Sequence, residues 1–534
     1  MIRAQVLREF QSLLGPESVV ADLDSLRAAE TTTFPTSQRI PVILRPRDKS
    51  VLSQLLHLAN KHGIPLYPIS SGKNWGYGSR VPIVDGCAIL DLSRFDRILD
   101  FNEERGYVTL EPGVTQQALY DFLQARRSKL WLDATGSSPA CSVIGNAVER
   151  GFGHTPYSDH FANLCGLEIF LPDGTVVETG FSGLPNANAG PLYKWGLGPS
   201  LDGLFSQSNF GIVTRATVWL MPAPEYTQAF VFQCAEADRL PRLIDALRPL
   251  RLNGVLRSAV HIGNDYKVIA MDHAFPDAEP KPLQRDRMRH FRSLWNIAGW
   301  SGSGALYGTK RQVAEARRLL KQALRGRVDK LIFLDDRAIS LASRFAGLYR
   351  LATGVDVKRS LALLQPLYGL LRGIPTGSTL KSCYWRKSGP VPDDPDPDRD
   401  GCGVIWFAPI SAIDGETAAQ IVEIAESTIL EYSFEPMISF TLLTERALAA
   451  VIAITYDRNV AGEDDKAMLC YRALEERFAS AGFYPYRLGI SSMDFQKFTP
   501  AYRDLLLRIK NALDPNGILA PARYVPLQHT LVER

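Results

Sequence analysis

Short strand patterns and helix patterns alternate along the first part of the chain, and this alternation restricts the possible folds more than any other feature. Apolar residues recur at helical spacing in DKSVLSQLLHLANKHG (48–63), which lies between the strand-like segments IPVILRP (40–46) and IPLYPIS (64–70). The second of these strands runs directly into the Ser/Gly-rich segment SGKNWGYGS (71–79). Alternation of this kind is typical of layered α+β or α/β domains.

The pattern changes near residue 225. Long amphipathic helix patterns follow at 281–297 and 309–326, and a Pro/Asp-rich segment at 389–401 is predicted to be an exposed loop. A chain of 534 residues is also too long for one compact core. We therefore predict an α+β protein in which one domain spans 1–225 and is completed by 500–534, with a second α+β domain inserted at 226–499.

Composition excludes several classes of protein. The formal net charge of +3 argues against a dedicated nucleic-acid binder, which would need a concentrated basic stripe. The seven cysteines are scattered and form no CxxC pair, so neither a metal site nor a disulfide framework is indicated. The N-terminal segment lacks the apolar core of a signal peptide, and no apolar run is long enough to span a bilayer. These features predict a soluble cytoplasmic enzyme with no membrane partner.

The segment after the second strand has the composition of an anion-binding loop. Glycines let a backbone approach a ligand closely, and consecutive N–H groups in a tight loop can surround a phosphate. Hydroxyl groups and a lysine add further donors. The pattern is neither GxGxxG nor Walker A, and alone such a loop is more often an ordinary turn. The candidate phosphate-binding residues are Ser70, Ser71, Gly72, Lys73, Asn74, Gly76 and Gly78.

Segments along nearly the whole chain, taken in order, resemble the vanillyl-alcohol oxidase family of 4-phenol-oxidising flavoenzymes, which includes p-cresol methylhydroxylase and eugenol oxidase. The segments that carry this resemblance include PLYPISSGKNWGYGS (65–79), GNAVERGFGHTPYSDH (145–160), GPSLDGLFSQSNFGIVT (198–214), PYRL (485–488) and DPNGILAP (514–521). The resemblance implies a two-part FAD-binding domain of the vanillyl-alcohol oxidase type, with an inserted cap domain that covers the flavin and forms the substrate cavity.

The resemblance also implies which residues contact the cofactor and the substrate. Besides the Ser/Gly-rich loop, the expected FAD contacts are Gly145, Asn146, Gly151, His154, Thr155, Asp159, Gly211, Ile212, Val213 and Arg523. Two tyrosines and an arginine bind the phenolate oxygen in the family, and their counterparts are Tyr77, Tyr486 and Arg487. A fixed positive charge with two hydroxyl donors would favour ionisation of a phenol. The alternative is that Tyr77 is a structural part of the loop and Arg487 a surface side chain.

The chain departs from the family pattern where relatives attach the flavin covalently. Val404 stands where vanillyl-alcohol oxidase has its linking histidine, and Tyr384 lies near the position of the linking tyrosine of p-cresol methylhydroxylase. We therefore expect non-covalent FAD, with a tyrosyl link at Tyr384 as the alternative.

Other departures concern acid–base groups. Gly136 replaces an aspartate near flavin N5, and Ala449-Ala450 replaces a paired-histidine segment. These losses suggest dehydrogenation without addition of water, or a bulkier and more apolar substrate. His154 replaces a tyrosine and either fills space against the cofactor or tunes it. His261, in the cap domain, either lines the pocket or is a packed or surface histidine.

The expected reaction is hydride transfer from the benzylic or allylic carbon of a para-substituted phenol to flavin N5, through a quinone methide. The expected partners are a small aromatic substrate and either O₂ or an electron-transfer protein such as a cytochrome, with a homodimer possible. One alternative keeps the flavin but changes the substrate to a non-phenolic alcohol, amine or natural-product intermediate, in which case Tyr77, Tyr486 and Arg487 would not converge. The other is a flavin-binding protein that has lost its catalytic activity.

Overall fold

The computed structural model describes residues 2–273, 275–276, 283, 285–340, 344, 357–387, 389–493 and 497–527. Its α-helices include α1 (Ala4–Leu14), α2 (Leu23–Glu30), α3 (Leu52–His62), α4 (Gln116–Ala125), α5 (Val143–Val148), α6 (Leu240–Leu252), α7 (Asp265–Asp272), α8 (Arg285–Trp295), α9 (Lys310–Leu324), α10 (Val357–Leu370), α11 (Gly415–Glu431), α12 (Glu463–Ser480) and α13 (Pro500–Leu513).

The strands before residue 223 are β1 (Val19–Val20), β2 (Ile43–Leu44), β3 (Leu66–Ile69), β4 (Ala88–Asp91), β5 (Ile98–Asn102), β6 (Tyr107–Leu110), β7 (Leu130–Trp131), β8 (Leu164–Phe170), β9 (Val176–Glu178), β10 (Ile212–Trp219) and β11 (Met221–Pro222). The later strands are β12 (Tyr226–Cys234), β13 (Val260–Asn264), β14 (Trp300–Gly308), β15 (Lys330–Leu334), β16 (Cys402–Phe407), β17 (Pro409–Ala412), β18 (Met437–Leu442), β19 (Ala447–Asp457) and β20 (Tyr484–Pro485).

Two sheets organise the first part of the chain. A four-stranded sheet has the order β1-β2-β4-β3, in which β4 is parallel to both β2 and β3, and a five-stranded antiparallel sheet has the order β5-β6-β10-β8-β9. The C-terminal segment joins the first of them, because the Leu66 N–H donates to the Ile518 carbonyl oxygen at 2.7 Å and the Ala520 N–H donates to that of Leu66 at 2.8 Å. The end of the chain therefore lies beside β3, from which the Ser/Gly-rich loop emerges.

The strands from β12 to β20 form one nine-stranded antiparallel sheet. One face is apolar: Ile262 of β13, Phe440 of β18 and Ile452 of β19 belong to the core that this sheet shares with α6, α9, α11 and α12. Successive side chains of a strand point to opposite faces. His261, Thr441 and Val451 therefore lie on the other face, where they line a cavity.

The α+β class and several helix predictions are confirmed. Gly63 caps α3 with a φ of 61°, and its N–H donates to the carbonyl groups of Ala59 and Asn60. The predicted helix at 309–326 is α9, which begins with a capping box between Thr309 and Gln312. The predicted helix at 281–297 is found as α8, although residues 281, 282 and 284 lie outside the described part of the chain. The domain limits at 225/226 and 499/500 stay a proposal. They agree with the large sheet, whose nine strands all come from residues 226–485.

Candidate active site

A cavity of about 430 Å³ lies between the first part of the chain and the inner face of the nine-stranded sheet. One side is formed by the Ser/Gly-rich loop, the start of α5, the segment before β10 and the C-terminal segment. The other side is formed by residues of β13, β18 and β19 together with α7 and Trp406 of β16. Because its walls come from both halves of the sequence, the cavity is a site that neither half forms alone.

The loop after β3 is shaped for an anionic ligand. Gly72 has a φ of +68°, a conformation that favours glycine. Within the described residues, none of the backbone N–H groups of residues 70–74 donates to another protein group. Most buried N–H groups in proteins have partners, so a row of unpaired donors along a cavity wall indicates a ligand that accepts hydrogen bonds.

The Pro/Asp-rich segment supports this loop, so its prediction as an exposed loop is wrong for its second half. Residues 389–394 are exposed, but Asp398 is buried and accepts a hydrogen bond from the Ser79 hydroxyl at 2.8 Å. Lys73 Nζ donates to Asp396 Oδ2 at 2.7 Å. The prolines prevent a helix, whereas the aspartates give the segment polar anchors on the loop, a pairing that the composition alone did not indicate.

Most of the predicted site residues reach the cavity wall. Those that line it are Ser70, Ser71, Gly72, Lys73, Asn74, Tyr77, Gly145, Asn146, Gly151, His154, Gly211, Ile212, Val213, Tyr486, Arg487 and Arg523. Those outside the lining are Gly76, Gly78, Thr155, Asp159 and Tyr384.

The residues behind the wall hold the loops that form it. A Cβ on Gly76 would lie 2.0 Å from Trp406 Cδ1, so only glycine lets the indole pack against the loop at this point. The Thr155 N–H donates to Asp133 Oδ1 at 3.3 Å, and Asp159 pairs with Phe152 in an isolated bridge. Burial opposes ionisation of Asp133, but His160, whose Nε2 lies 3.7 Å from Asp133 Oδ2, and the hydrogen bond from the His154 N–H keep its pKa below the ordinary value.

Tyr384 is fixed away from the cavity. Its hydroxyl donates to Asp400 Oδ2 at 2.6 Å, and its ring packs with Trp75, Cys402 and Val404. Burial, together with the hydrogen bond to Asp400, raises its pKa far above the ordinary tyrosine value. A protonated hydroxyl that is engaged with a carboxylate is poorly placed to attack a ring system in the cavity.

Arg487, Tyr77 and Tyr486 converge on one wall. The Arg487 guanidinium lies over the Tyr77 ring, with its carbon 4.6 Å from the ring centroid, and donates to Asn74 Oδ1 at 2.6 Å. Burial raises the pKa of both tyrosines although Arg487 opposes the shift, so their hydroxyls stay protonated and can donate. Burial likewise opposes the charge of Arg487, but Glu149 and the neighbouring tyrosines keep the pKa of the guanidinium above its ordinary value.

Glu149 balances only part of the positive charge at this wall. Its Oε2 lies 3.6 Å from Arg487 Nε, and its Oε1 accepts a hydrogen bond from Arg523. Tyr524 donates a third contact to Glu149 at 3.3 Å. Two guanidinium groups share one carboxylate, which leaves a net charge of about +1 facing the cavity. Sequence inspection missed Glu149, since nothing in AVERG marks one glutamate as a partner of residues that lie far away in sequence.

His154 and His261 lie ring against ring in the cavity wall, with an angle of 31° between the ring planes. Their ring centroids are 4.2 Å apart, and Nδ1 of His261 is 3.0 Å from the Thr441 hydroxyl oxygen. Nε2 of His261 is buried and has no partner among the described residues. Burial lowers the pKa of both imidazoles, so both are neutral near pH 7. The structure therefore places His261 in the wall of the pocket.

His154 also occupies the space beside Gly136. A Cβ at position 136 would lie 3.2 Å from His154 Cε1. An aspartate at this position would clash with the imidazole unless the imidazole moved. The glycine at position 136 and the histidine at position 154 are therefore sterically coupled. Ala449 lies on the same sheet face as Thr441, its partner across the strands, and is fully buried.

Lys267 is a further residue of the cavity wall that was missed. Lys267 of α7 donates to the Ser382 hydroxyl at 2.9 Å, and its Nζ lies 5.6 Å from the centroid of the Trp406 indole. Burial lowers the pKa of this lysine. A single lysine in HIGNDYKVIA carries no motif, and only the packing of α7 against the sheet brings it to the site.

Together, this fold and cavity define a binding site for an extended, partly anionic ligand, and comparison with known proteins identifies the class of protein. A family model described as an FAD binding domain matches residues 40–180. The chain is 42% identical over 528 residues to the 1'-carboxy-chondrochloren decarboxylase of Chondromyces crocatus, with 97% of each chain covered. It is 29% identical to the flavoprotein subunit of the hydroxylating 4-cresol dehydrogenase of Pseudomonas putida, over 97% of this chain and 95% of that one.

A solved structure agrees with these sequence matches. The 4-ethylphenol oxidase of Gulosibacter chungangensis, determined as an isoeugenol complex, superposes with a TM-score of 0.89 at 29% identity, and covers 99% of this chain and 98% of that chain. The chain belongs to the vanillyl-alcohol oxidase/p-cresol methylhydroxylase family of FAD-dependent oxidoreductases, as its motifs predicted. No helix among the described residues is long and apolar enough to cross a membrane.

The residues present fit FAD. A Cβ on Gly145 would lie 2.2 Å from Ser70 Oγ, so the backbone of α5 approaches the anion-binding loop closely only because this position is glycine. Buried polar atoms that have no hydrogen-bond partner among the described residues line the same cavity, and they include Asn209 Oδ1, Arg487 Nε and His261 Nε2. Unpaired N–H groups suit a pyrophosphate, and separate donors and acceptors farther along suit a flavin and its ribityl chain.

Proposed function

We propose that this enzyme uses FAD to oxidise a para-substituted phenol at the carbon next to the ring. The convergence of Tyr77, Tyr486 and Arg487 on one wall of the cavity is the observation that carries the proposal. A non-phenolic substrate would give no reason to gather a net positive charge and two protonated hydroxyls at one point. When bound, FAD accepts the hydride that leaves the substrate carbon.

The three residues act on the phenolic oxygen. Removal of a hydride from a neutral phenol would leave positive charge on the benzylic carbon, whereas removal from a phenolate leaves a neutral quinone methide. The net charge of about +1 shared by Arg487, Arg523 and Glu149 stabilises the phenolate. Tyr77 and Tyr486 donate to the same oxygen, and their burial keeps water from screening the charge.

The cofactor contacts follow from the same wall. Residues 70–74 would hold the pyrophosphate through backbone N–H groups, while Gly145, Asn146 and residues 211–213 would border the rest of FAD. We propose that FAD is not covalently attached, because Val404 cannot link it and the Tyr384 hydroxyl is engaged with Asp400. Either O₂ or an electron-transfer protein would accept the electrons afterwards.

A second candidate function is oxidative decarboxylation of a phenol whose side chain carries a carboxylate. The extensive identity to a decarboxylase favours it. In a 3-(4-hydroxyphenyl)propanoate, loss of the benzylic hydride gives a quinone methide. The bond to the carboxylate then breaks, its electron pair forms the new double bond, the ring returns to a phenolate, and CO₂ leaves. Gly136 and Ala449 carry no acid–base group at the two positions where the family has an aspartate and a histidine pair, and this difference suits a reaction that consumes the quinone methide without water.

An anaerobic titration tests both candidates. The purified yellow protein is mixed with 4-ethylphenol or with 3-(4-hydroxyphenyl)propanoate, and the flavin absorbance near ~450 nm is followed. Bleaching by either compound supports phenol oxidation, and formation of 4-vinylphenol rather than 4-hydroxycinnamate from the acid supports decarboxylation. If dithionite bleaches the flavin but no phenol in a panel of 4-alkyl- and 4-alkenylphenols does, the proposed substrate class is wrong.

A further inference from the structure

We propose that Lys267 forms a carboxylate-binding subsite, so that the preferred substrates are para-substituted phenols with an anionic side chain. The inference rests on the proposed function, since it assumes that the phenolic end of the substrate lies against Arg487. It adds a second charged contact at another wall of the same cavity and makes this residue a determinant of specificity.

Lys267 differs from the other cations of the cavity wall. Lys73 is paired with Asp396, while Arg487 and Arg523 share Glu149. Among the described residues Lys267 has no carboxylate partner, and its ammonium contacts only the Ser382 hydroxyl and the face of Trp406. A partly buried cation is costly unless it is paired, so an unpaired one that borders a cavity indicates an anionic ligand.

The position of Lys267 in α7 gives it no role in stabilising the helix. The helix begins at Asp265 after the Asn264 cap, so Lys267 lies in the first turn. Cations are disfavoured there and anions are favoured, because the helix dipole points its positive end toward this turn. A carboxylate bound at Lys267 would interact favourably with both the ammonium and the dipole.

Trp406 connects the two charged ends of the cavity. Lys267 faces its indole, and the indole packs directly against Gly76, the residue before Tyr77. Val451 of the sheet and Leu380 line the same cavity and add apolar surface to it. A phenol with its oxygen at Tyr77 and Arg487 would extend its para substituent along this lining toward Lys267.

The ammonium could instead serve the cofactor, and the test must separate the two. FAD presents its negative charge at the pyrophosphate, for which the loop after β3 is shaped, whereas Lys267 lies on α7 and contacts Ser382 and Trp406. If Lys267 served the cofactor, its replacement would weaken FAD binding and would change the affinity for charged and neutral phenols alike.

The test compares two ligands that differ in charge but hardly in size, 3-(4-hydroxyphenyl)propanoate and its primary amide. Dissociation constants are measured on the FAD-loaded enzyme from the change in the flavin spectrum on binding, for wild type, Lys267→Met, Lys267→Arg and the exposed surface control Lys310→Met. Wild type should bind the acid more tightly than the amide. Lys267→Met should weaken binding of the acid by about 10- to 100-fold and of the amide by less than about threefold. Lys267→Arg should keep part of the preference, and Lys310→Met should change neither constant.

Several outcomes would overturn the inference. Equal affinity of the wild-type enzyme for the amide and the acid would overturn the inference before any variant is made. Equal weakening of both ligands in Lys267→Met, or loss of FAD from that variant, would also overturn it. If 4-ethylphenol reduces the flavin but the acid is not preferred, the subsite is wrong and phenol oxidation stands. If no phenol reduces the flavin, the proposed function fails, whatever the acid–amide preference.

Discussion

Replacing Arg487 with alanine should raise the pKa of a bound phenol and slow its oxidation. Arg487 and Arg523 share Glu149, so the wall carries a net charge of about +1 in the wild type and about zero in Arg487→Ala. Loss of one charge-assisted contact to an oxyanion in a site that excludes water costs roughly 2–4 kcal/mol. This corresponds to a rise of about 1.5–3 units in the pKa of the bound phenol. The rate of flavin reduction at neutral pH should fall by about 30- to 1000-fold.

Two measurements check this prediction. The pKa of a bound chromophoric phenol such as 4-nitrophenol is read from its spectrum as pH is varied, and the rate of flavin reduction by 4-ethylphenol is measured by anaerobic stopped flow. Arg487→Lys should give intermediate values, because it keeps the charge and loses the planar contacts to Asn74 and Tyr77. Arg318→Ala, at an exposed position on α9, is the control. A bound-phenol pKa that does not change in Arg487→Ala would refute the assigned role.

Three further predictions concern the residues around this site. Glu149→Gln should lower the unfolding midpoint measured by scanning calorimetry, because two buried guanidinium groups lose their shared carboxylate, a loss of about 3–5 kcal/mol. The same variant should lower the pKa of a bound phenol, because the positive charge of the wall increases. A higher phenol pKa would contradict the charge balance. Burial raises the pKa of Asp398 from 3.8 to about 7, so its ionisation costs folding free energy as pH rises through that window. The unfolding midpoint of Asp398→Asn should therefore rise relative to that of wild type between pH 4 and 7, and the difference should stay constant above pH 7. A difference that does not change with pH would show that the pKa of the carboxyl is not perturbed. Acid denaturation should release FAD from wild type and from Tyr384→Phe alike; flavin that stays on the wild-type chain but not on the variant would establish the tyrosyl link.

The class of fold and the region of the cofactor site could be predicted from local patterns. Helix α9 carries its own capping box, Gly63 ends α3 by adopting a left-handed conformation, and the Ser/Gly-rich loop follows a strand. These features depend on neighbours in sequence, so they can be found without tertiary structure. The order of the motifs along the chain identified the family, and the family implied FAD, because the groups that hold a cofactor recur at fixed places on one scaffold.

The chemistry of the substrate end depends on contacts between residues far apart in sequence. The role of Arg487 depends on its contacts with Asn74 and Glu149, and both residues are separated from it by more than half of the chain. Sequence motifs suggested Arg487 itself but could not show that Arg523 shares its carboxylate partner Glu149, and this sharing is what leaves a net charge.

The position of Lys267 is still harder to predict from the sequence. In the sequence it is one lysine among apolar neighbours, and the surface of a helix would be its default position. Tertiary structure decides otherwise, because α7 packs beside the nine-stranded sheet and turns this side chain toward Trp406 and the cavity. The sequence by itself determined the fold class, the family and the cofactor, since these depend on local patterns and ordered motifs. The tertiary structure decided which charges remain unbalanced in the cavity, because that balance is a sum over groups that only folding brings together.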